Sequence, residues 1–348
     1  MLLAILLSVF LLGLYRSRLD VAGFHADYMA KDRTDAVKGF FILLVFLPHT
    51  LKYISKCGYQ FDAIGDSAFY SFFMGITQLP VVMFLFYSGY GVCESFKRKG
   101  VAYAKKMPRH RLLGTLLNYD VAVVIFVVVS LLLSISITLR QGLVALTSWD
   151  TVGIDNWYIF VILLCYLMSY LALRFGSMKV EHRALLLLAL CLLCVFVLSR
   201  LKTERWYNTL LCYPLGFLYS AYKAPVEAFL KKHYWPVLIA LMVSMLGIFG
   251  IFMMHVLPNL CQLPYNVFCM IFAMIVVMVT MKASIGNPFL SWTGTHLFPI
   301  FIYMRLPMIF MQHQTPALVG TFPALFILIS LAVTLLIARV YRFFEIRL

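Results

Sequence analysis

Charged residues are scarce in this chain. Only 12% of its 348 residues are charged, 63% are apolar, and the mean hydropathy is +0.92. This amino-acid composition lies outside that of soluble domains. The chain contains many apolar runs long enough to cross the hydrocarbon core of a bilayer. The sequence therefore predicts an all-α protein that crosses the membrane many times and is embedded in the lipid bilayer.

Linkers, low-complexity tracts and internal repeats are also missing, so nothing in the sequence marks off a second domain. We predict one membrane domain over residues 1–348, with an extra N-terminal helix at 1–15 and core helices within 39–338. The first helix has no preceding basic region and no small-residue cleavage pattern, so we expect it to be retained. The bundle of about eleven predicted transmembrane helices covers 1–15, 39–54, 69–93, 112–139, 157–174, 184–199, 206–222, 235–255, 265–281, 294–311 and 320–338.

Acidic residues are half as common as basic ones: 14 Asp and Glu stand against 29 Lys and Arg. An excess of +15 could indicate nucleic acid or anionic lipid as a partner. If the N-terminus lies outside the cell, however, 22 of the 29 cations fall in segments that face the cytoplasm, as the positive-inside rule requires. Topology thus explains most of the charge without nucleic acid. We expect a multi-pass protein of the cell membrane with a cytoplasmic C-terminus.

A paired set of metal ligands is lacking as well. Cys191 and Cys194 form one CxxC on an apolar helix, and no second ligand pair follows. Small-residue packing explains this pair better than metal binding, so we expect no metal site.

Two polar residues, Lys38 and His49, stand at the ends of the apolar stretch KGFFILLVFLPHT. Eleven residues at about 100° each bring both side chains to one helix face, roughly 16 Å apart along the axis. Pro48 cannot donate a backbone hydrogen bond, which frees a carbonyl beside the imidazole. His49 is either a packed histidine bonded to a neighbouring carbonyl or a functional group, and its alignment with Lys38 favours function.

A second group of candidates follows at the cytoplasmic end. Ser88 lies in the segment SGYG, whose small residues permit close helix approach or close passage of a ligand chain. The next loop, KRKGVAYAKKMPRHR, ends with Arg109 and Arg111 at the start of a helix. The loop either sets topology and touches lipid headgroups, or its guanidinium groups bind a phosphate-bearing cofactor.

Three residues are candidates for contact with a substrate. The commonest role of a tryptophan such as Trp157 is that of an aromatic anchor at the membrane interface. Tyr303 and Arg305 lie in an apolar run near the C-terminus. Arg305 needs an acidic partner, backbone carbonyls or water in a cavity, and no acidic residue is near it in the sequence.

Four segments together resemble the bacterial membrane acyltransferases called acyltransferase family 3. DAVKGFFILLVFLPHT resembles its first core helix, with a cation and a histidine separated by ten residues. MFLFYSGYGV, WYIFVILLCYL and GTHLFPIFIYMRLP resemble its later motifs in order. Two departures stand out: Pro108 and Gly114 replace the first Arg and the Pro of the family's cytoplasmic pattern, and Arg305 lies near the place of a C-terminal histidine.

The resemblance implies an acyltransferase that moves an acyl group, acetyl above all, from cytoplasmic acyl-CoA to a hydroxyl of a cell-surface glycan or lipid-linked saccharide. His49 would be the catalytic base or a transient acyl carrier. Lys38, Arg109, Arg111 and Ser88 would bind CoA, while Trp157, Tyr303 and Arg305 would bind the acceptor. The alternative is a transporter or flippase for an anionic saccharide lipid, against which the lack of an inverted repeat counts.

Overall fold

The computed structural model describes residues 1–76, 78–174, 178–253 and 262–348, and about four-fifths of the chain is helical. Two short strands, β1 (Arg18–Leu19) and β2 (Ala283–Ser284), pair in an antiparallel ladder. The helices are α1 (Leu2–Leu14), α2 (Lys31–Lys56), α3 (Ile64–Ile76), α4 (Leu79–Lys99), α5 (Val101–Met107), α6 (Gly114–Leu132), α7 (Leu139–Ala145), α8 (Trp157–Leu173), α9 (Val180–Leu201), α10 (Cys212–Ala221), α11 (Lys223–Lys232), α12 (Tyr234–Met253), α13 (Gln262–Lys282), α14 (Pro288–Thr295), α15 (Leu297–Tyr303), α16 (Arg305–Gln314), α17 (Pro316–Thr321) and α18 (Pro323–Val340). A π-helical turn, Pro108–Leu113, joins α5 to α6.

Seven helical segments among the described residues are long and apolar enough to cross a membrane. An eighth is added if the bent pair α14 and α15–α16 counts as one span. The prediction of a many-helix membrane protein is therefore confirmed, whereas the count of eleven is not. Two further apolar helices, α1 and α8, are shorter than the roughly 20 residues of a typical crossing. The seven segments are 31–56, 79–99, 101–132, 180–201, 234–251, 264–282 and 323–343.

Several predicted helices have different bounds in the structure. The segment 69–93 is divided between α3 and α4, with Pro80 in the first turn of α4. The segment 206–222 contains only the ten-residue α10 as an α-helix. The predicted helix at 235–255 reaches beyond the described residues at its end, where α12 stops at Met253.

The predicted helix at 294–311 is broken into three. It bends by 69° between α14 and α15, and a second break separates α15 from α16. Each break lies about four residues before a proline, Pro299 and Pro307. A proline has no N–H to donate to the carbonyl four residues earlier, so the helix ends there. We call the segment from α14 to α16 the broken limb.

Reciprocal glycine contacts bring two helix pairs close together. A Cβ on Gly39 of α2 would lie 1.8 Å from a carbonyl oxygen of α14, and one on Gly294 of α14 would lie 1.8 Å from a carbonyl oxygen of α2. Gly89 of α4 and Gly216 of α10 face the partner backbone in the same way, at 2.0 and 1.9 Å. Only glycine permits this backbone approach. The contacts fix α2 against the broken limb and α4 against α10.

Candidate active site

The imidazole of His49 lies beside a carboxylate that the sequence alone did not single out. Helix α2 continues through Pro48 to Lys56 and carries His49 near that end. Its Nε2 is 3.3 Å from Oδ2 of Asp155, which directly precedes α8, and the two side chains are 23% and 20% exposed. The pair is therefore shielded from bulk solvent but reachable by a ligand.

Asp155 connects three elements of the fold. The indole Nε1 of Trp157 donates to its Oδ2 at 3.1 Å, and a guanidinium nitrogen of Arg305 lies 4.0 Å from its Oδ1. Arg305 is the first residue of α16, and its Nε donates to the hydroxyl of Tyr53 on α2 at 3.0 Å. One carboxylate thus holds α2, α8 and the broken limb together around His49.

The loop before α8 fixes the position of this carboxylate. The side chain of Asn156 donates to the carbonyls of Ser148 at 2.7 Å and Asp150 at 2.8 Å. The hydroxyl of Thr151 donates to the carbonyl of Ile154. Gly153 has φ +115°, a conformation that other residues rarely adopt. Side chains of the loop thus donate hydrogen bonds to carbonyls of the same loop. These bonds fix the position of Asp155.

A cavity of about 350 Å³ opens onto the His49–Asp155 pair. A neighbouring cavity of about 550 Å³ shares Lys52 and Arg305 with it. Both volumes fall in the range that small-molecule sites occupy. The polar and charged residues that line the first cavity are His49, Lys52, Gln78, Asp155, Trp157, Arg205 and Arg305.

A second polar group lies further along α4 and α8. The hydroxyls of Ser88 and Tyr166 are 3.0 Å apart, and the guanidinium carbon of Arg111 lies 5.7 Å from the centroid of the Tyr166 ring. Val81 and Trp157 line the cavity, so Ser88 and Tyr166 lie about 10 and 14 Å further along their helices. We call the surface between these two levels the α4–α8 seam; the rings of Phe84 and Tyr158 pack in it, with centroids 6.1 Å apart.

The remaining predicted residues lie apart from these groups. The amine of Lys38 is 2.6 Å from Oδ1 of Asp35, whose side chain is buried. Arg109 is exposed and makes no ion pair or side-chain hydrogen bond within the described part of the chain. Tyr303 does not line either cavity; its ring packs against Tyr341 and Phe344. Its predicted contact with an acceptor therefore has no support from its position.

The structure brings together His49, Trp157 and Arg305, which are distant in the sequence. It also adds Asp155, Lys52 and Arg205, which sequence reasoning missed. The feature of the sequence that could have indicated Asp155 is its position two residues before the tryptophan that begins α8. Lys52 and Arg205 carried no separate signal.

The fold and the site define a polytopic helical membrane protein with a histidine–carboxylate pair at a cavity. A comparison with protein families matches residues 32–341 to the acyltransferase domain of acyltransferase family 3, and the chain belongs to that family. It is thus a membrane acyltransferase. No curated protein and no solved structure matches the chain.

Proposed function

We propose that this protein transfers an acyl group, acetyl above all, from acyl-CoA to a hydroxyl of a cell-surface glycan or a lipid-linked saccharide. The observation that carries the proposal is the His49–Asp155 pair, 3.3 Å apart at a cavity, in a chain of an acyltransferase family. We infer that the protein lies in the cell membrane with its N-terminus outside and its C-terminus in the cytoplasm.

The chemistry follows from the imidazole and its partner. A carboxylate beside Nε2 favours the tautomer that carries the proton there and leaves the Nδ1 lone pair free. As a base, Nδ1 takes the proton of the acceptor hydroxyl. The hydroxyl oxygen then attacks the thioester carbonyl, and the CoA thiolate leaves. As an acyl carrier, Nδ1 itself attacks the thioester and the CoA thiolate leaves. The acceptor hydroxyl then attacks the acyl-imidazole, and its proton passes to the imidazole as that group leaves. Asp155 stabilises the imidazolium in the first route and keeps the ring oriented in both.

The donor would enter from the opposite end of the α4–α8 seam. Arg111 can hold a CoA phosphate with a forked guanidinium contact, while Ser88 and Tyr166 offer hydroxyls to the amides of the pantetheine arm. The arm would then extend along the seam, past Phe84 and Tyr158, to bring the thioester to His49. Lys38 would add positive charge at the cytoplasmic end, and Trp157 and Arg305 would face the acceptor.

The experiment uses purified full-length protein in nanodiscs with radiolabelled acetyl-CoA, and CoA release is followed by chromatography because the chain has free cysteines that would react with a thiol reagent. With water as the acceptor in this assay, we expect release by hydrolysis in the wild type and its loss in His49→Ala. His182→Ala, an exposed histidine at the start of α9, is the control and should match the wild type. A wild-type protein that moves saccharide lipid between the leaflets of sealed proteoliposomes but releases no CoA would be a transporter.

The two roles of His49 are separated by rapid acid quenching and mass spectrometry. An acetyl group on the peptide that contains His49, formed without acceptor, identifies the acyl carrier. CoA release without labelled peptide identifies the base.

A further inference from the structure

Positive charge is concentrated at the His49 end in a way that topology does not explain. With the N-terminus outside, as proposed above, the positive-inside rule accounts for 22 of the 29 cations and leaves seven at the opposite face, where cations are usually depleted. Four of these seven line the two cavities at the active site: Lys52, Lys56, Arg205 and Arg305. The other three are Arg140, Arg200 and Lys202.

Negative charge to balance these cations is lacking. Asp155 is the one carboxylate among the residues that line the two cavities, and His49, Trp157 and Arg305 already surround it. The other three cavity cations form no ion pair within the described residues. Like charges that line one concave surface raise the local concentration of anions. The cavities therefore offer an anion site beside a nucleophile or base.

We propose that the acceptor carries an anionic group, a phosphate or a carboxylate, which Lys52, Lys56 and Arg205 bind while the acceptor hydroxyl lies at His49. This inference rests on the proposed function and names the acceptor's charge. Its geometry comes from α2, where His49, Lys52 and Lys56 follow one another at three and four residues. They share a helix face, so the anion binds about 5–10 Å from the reacting hydroxyl, toward the end of α2.

Equilibrium dialysis tests the proposal on the full-length protein in nanodiscs of neutral phosphatidylcholine. The radiolabelled probes are inorganic pyrophosphate, tetragalacturonate and the neutral maltotetraose. We expect the wild type to retain at least one anionic probe better than maltotetraose. Lys52→Gln and Arg205→Gln should each weaken that binding by about tenfold or more, because each deletes a charge-assisted contact. Arg140→Gln removes an exposed cation outside both cavities and should bind like the wild type.

The probes distinguish the sources of the anion. Retention of pyrophosphate alone indicates a phosphate-bearing acceptor, and retention of tetragalacturonate alone indicates an acidic sugar. The proposal is overturned if neither anion is retained, if both cavity variants bind as the wild type does, or if phosphatidylglycerol in the discs abolishes binding, since the cations then hold lipid headgroups. CoA release measured on the same samples tests the proposed function separately: release that depends on His49 without anion binding refutes only this inference.

Discussion

Replacing Asp155 with Asn is the sharpest test of the active site, because it removes one charge and almost no volume. An imidazolium 3.3 Å from a carboxylate gains about 5 kcal/mol at an effective dielectric constant of about 20. Both side chains are about one-fifth exposed, so water screens part of this, and about 2.5–5 kcal/mol remains. If His49 becomes cationic in the rate-limiting step, Asp155→Asn should lower kcat by about 10²- to 10⁴-fold.

The measurement is kcat and KM for CoA release by protein in nanodiscs. We expect KM for acetyl-CoA to stay within twofold, since Asp155 lies away from the proposed phosphate contacts. Asp150→Asn is the matched control, because this exposed carboxylate of the same loop accepts, within the described residues, a hydrogen bond only from the backbone N–H of Thr151. A folded Asp155→Asn protein that retains wild-type kcat would refute the role of the pair.

Three further changes test the donor end and the packing. Arg111→Lys should raise KM for acetyl-CoA severalfold, because a point charge cannot make the forked phosphate contact, whereas Arg109→Lys should not; equal values would reduce the loop to diffuse charge. Lys38→Ala should lower the melting temperature, because it leaves the buried carboxylate of Asp35 unpaired. Weaker binding of acetyl-CoA by this variant would support a role of Lys38 in donor binding, whereas unchanged binding would limit Lys38 to a structural role. Gly89→Ala should destabilise the fold by about 1–3 kcal/mol through overlap with the α10 backbone, while Gly91→Ala on the same helix has open space and should melt like the wild type; equal melting would contradict the close approach of α4 and α10.

The sequence predicted the class of fold because it depends on local pattern, and local pattern also singled out His49 as a candidate. Apolar runs indicate membrane helices whatever surrounds them, and the spacing of Lys38 and His49 follows from helix geometry. For the SGYG segment, the sequence left open close helix packing or passage of a ligand chain. Gly89 makes the close helix contact, and its neighbour Ser88 faces Tyr166. Helix number was less predictable, since short and broken helices have nearly the same hydropathy as full crossings.

The partner of Arg305 could not be predicted from local pattern. Asp155 lies 150 residues earlier in the chain and comes within 4.0 Å only after α2, α8 and α16 have packed. Its neighbours in the sequence, Asn156 and Trp157, serve to hold the loop and the carboxylate, but those roles depend on hydrogen bonds across the loop. A contact of this kind has no periodicity to detect.

The broken limb explains how one helix face comes to serve both ends of the site. Gly294 of α14 packs against α2 near Asp35, the partner of Lys38, whereas Arg305 of α16 reaches Tyr53 near His49. A 69° bend, at the break before Pro299, separates these two contacts with α2. The broken limb therefore contacts α2 on both sides of its bend, and the part beyond the bend carries Arg305 to the His49–Asp155 pair.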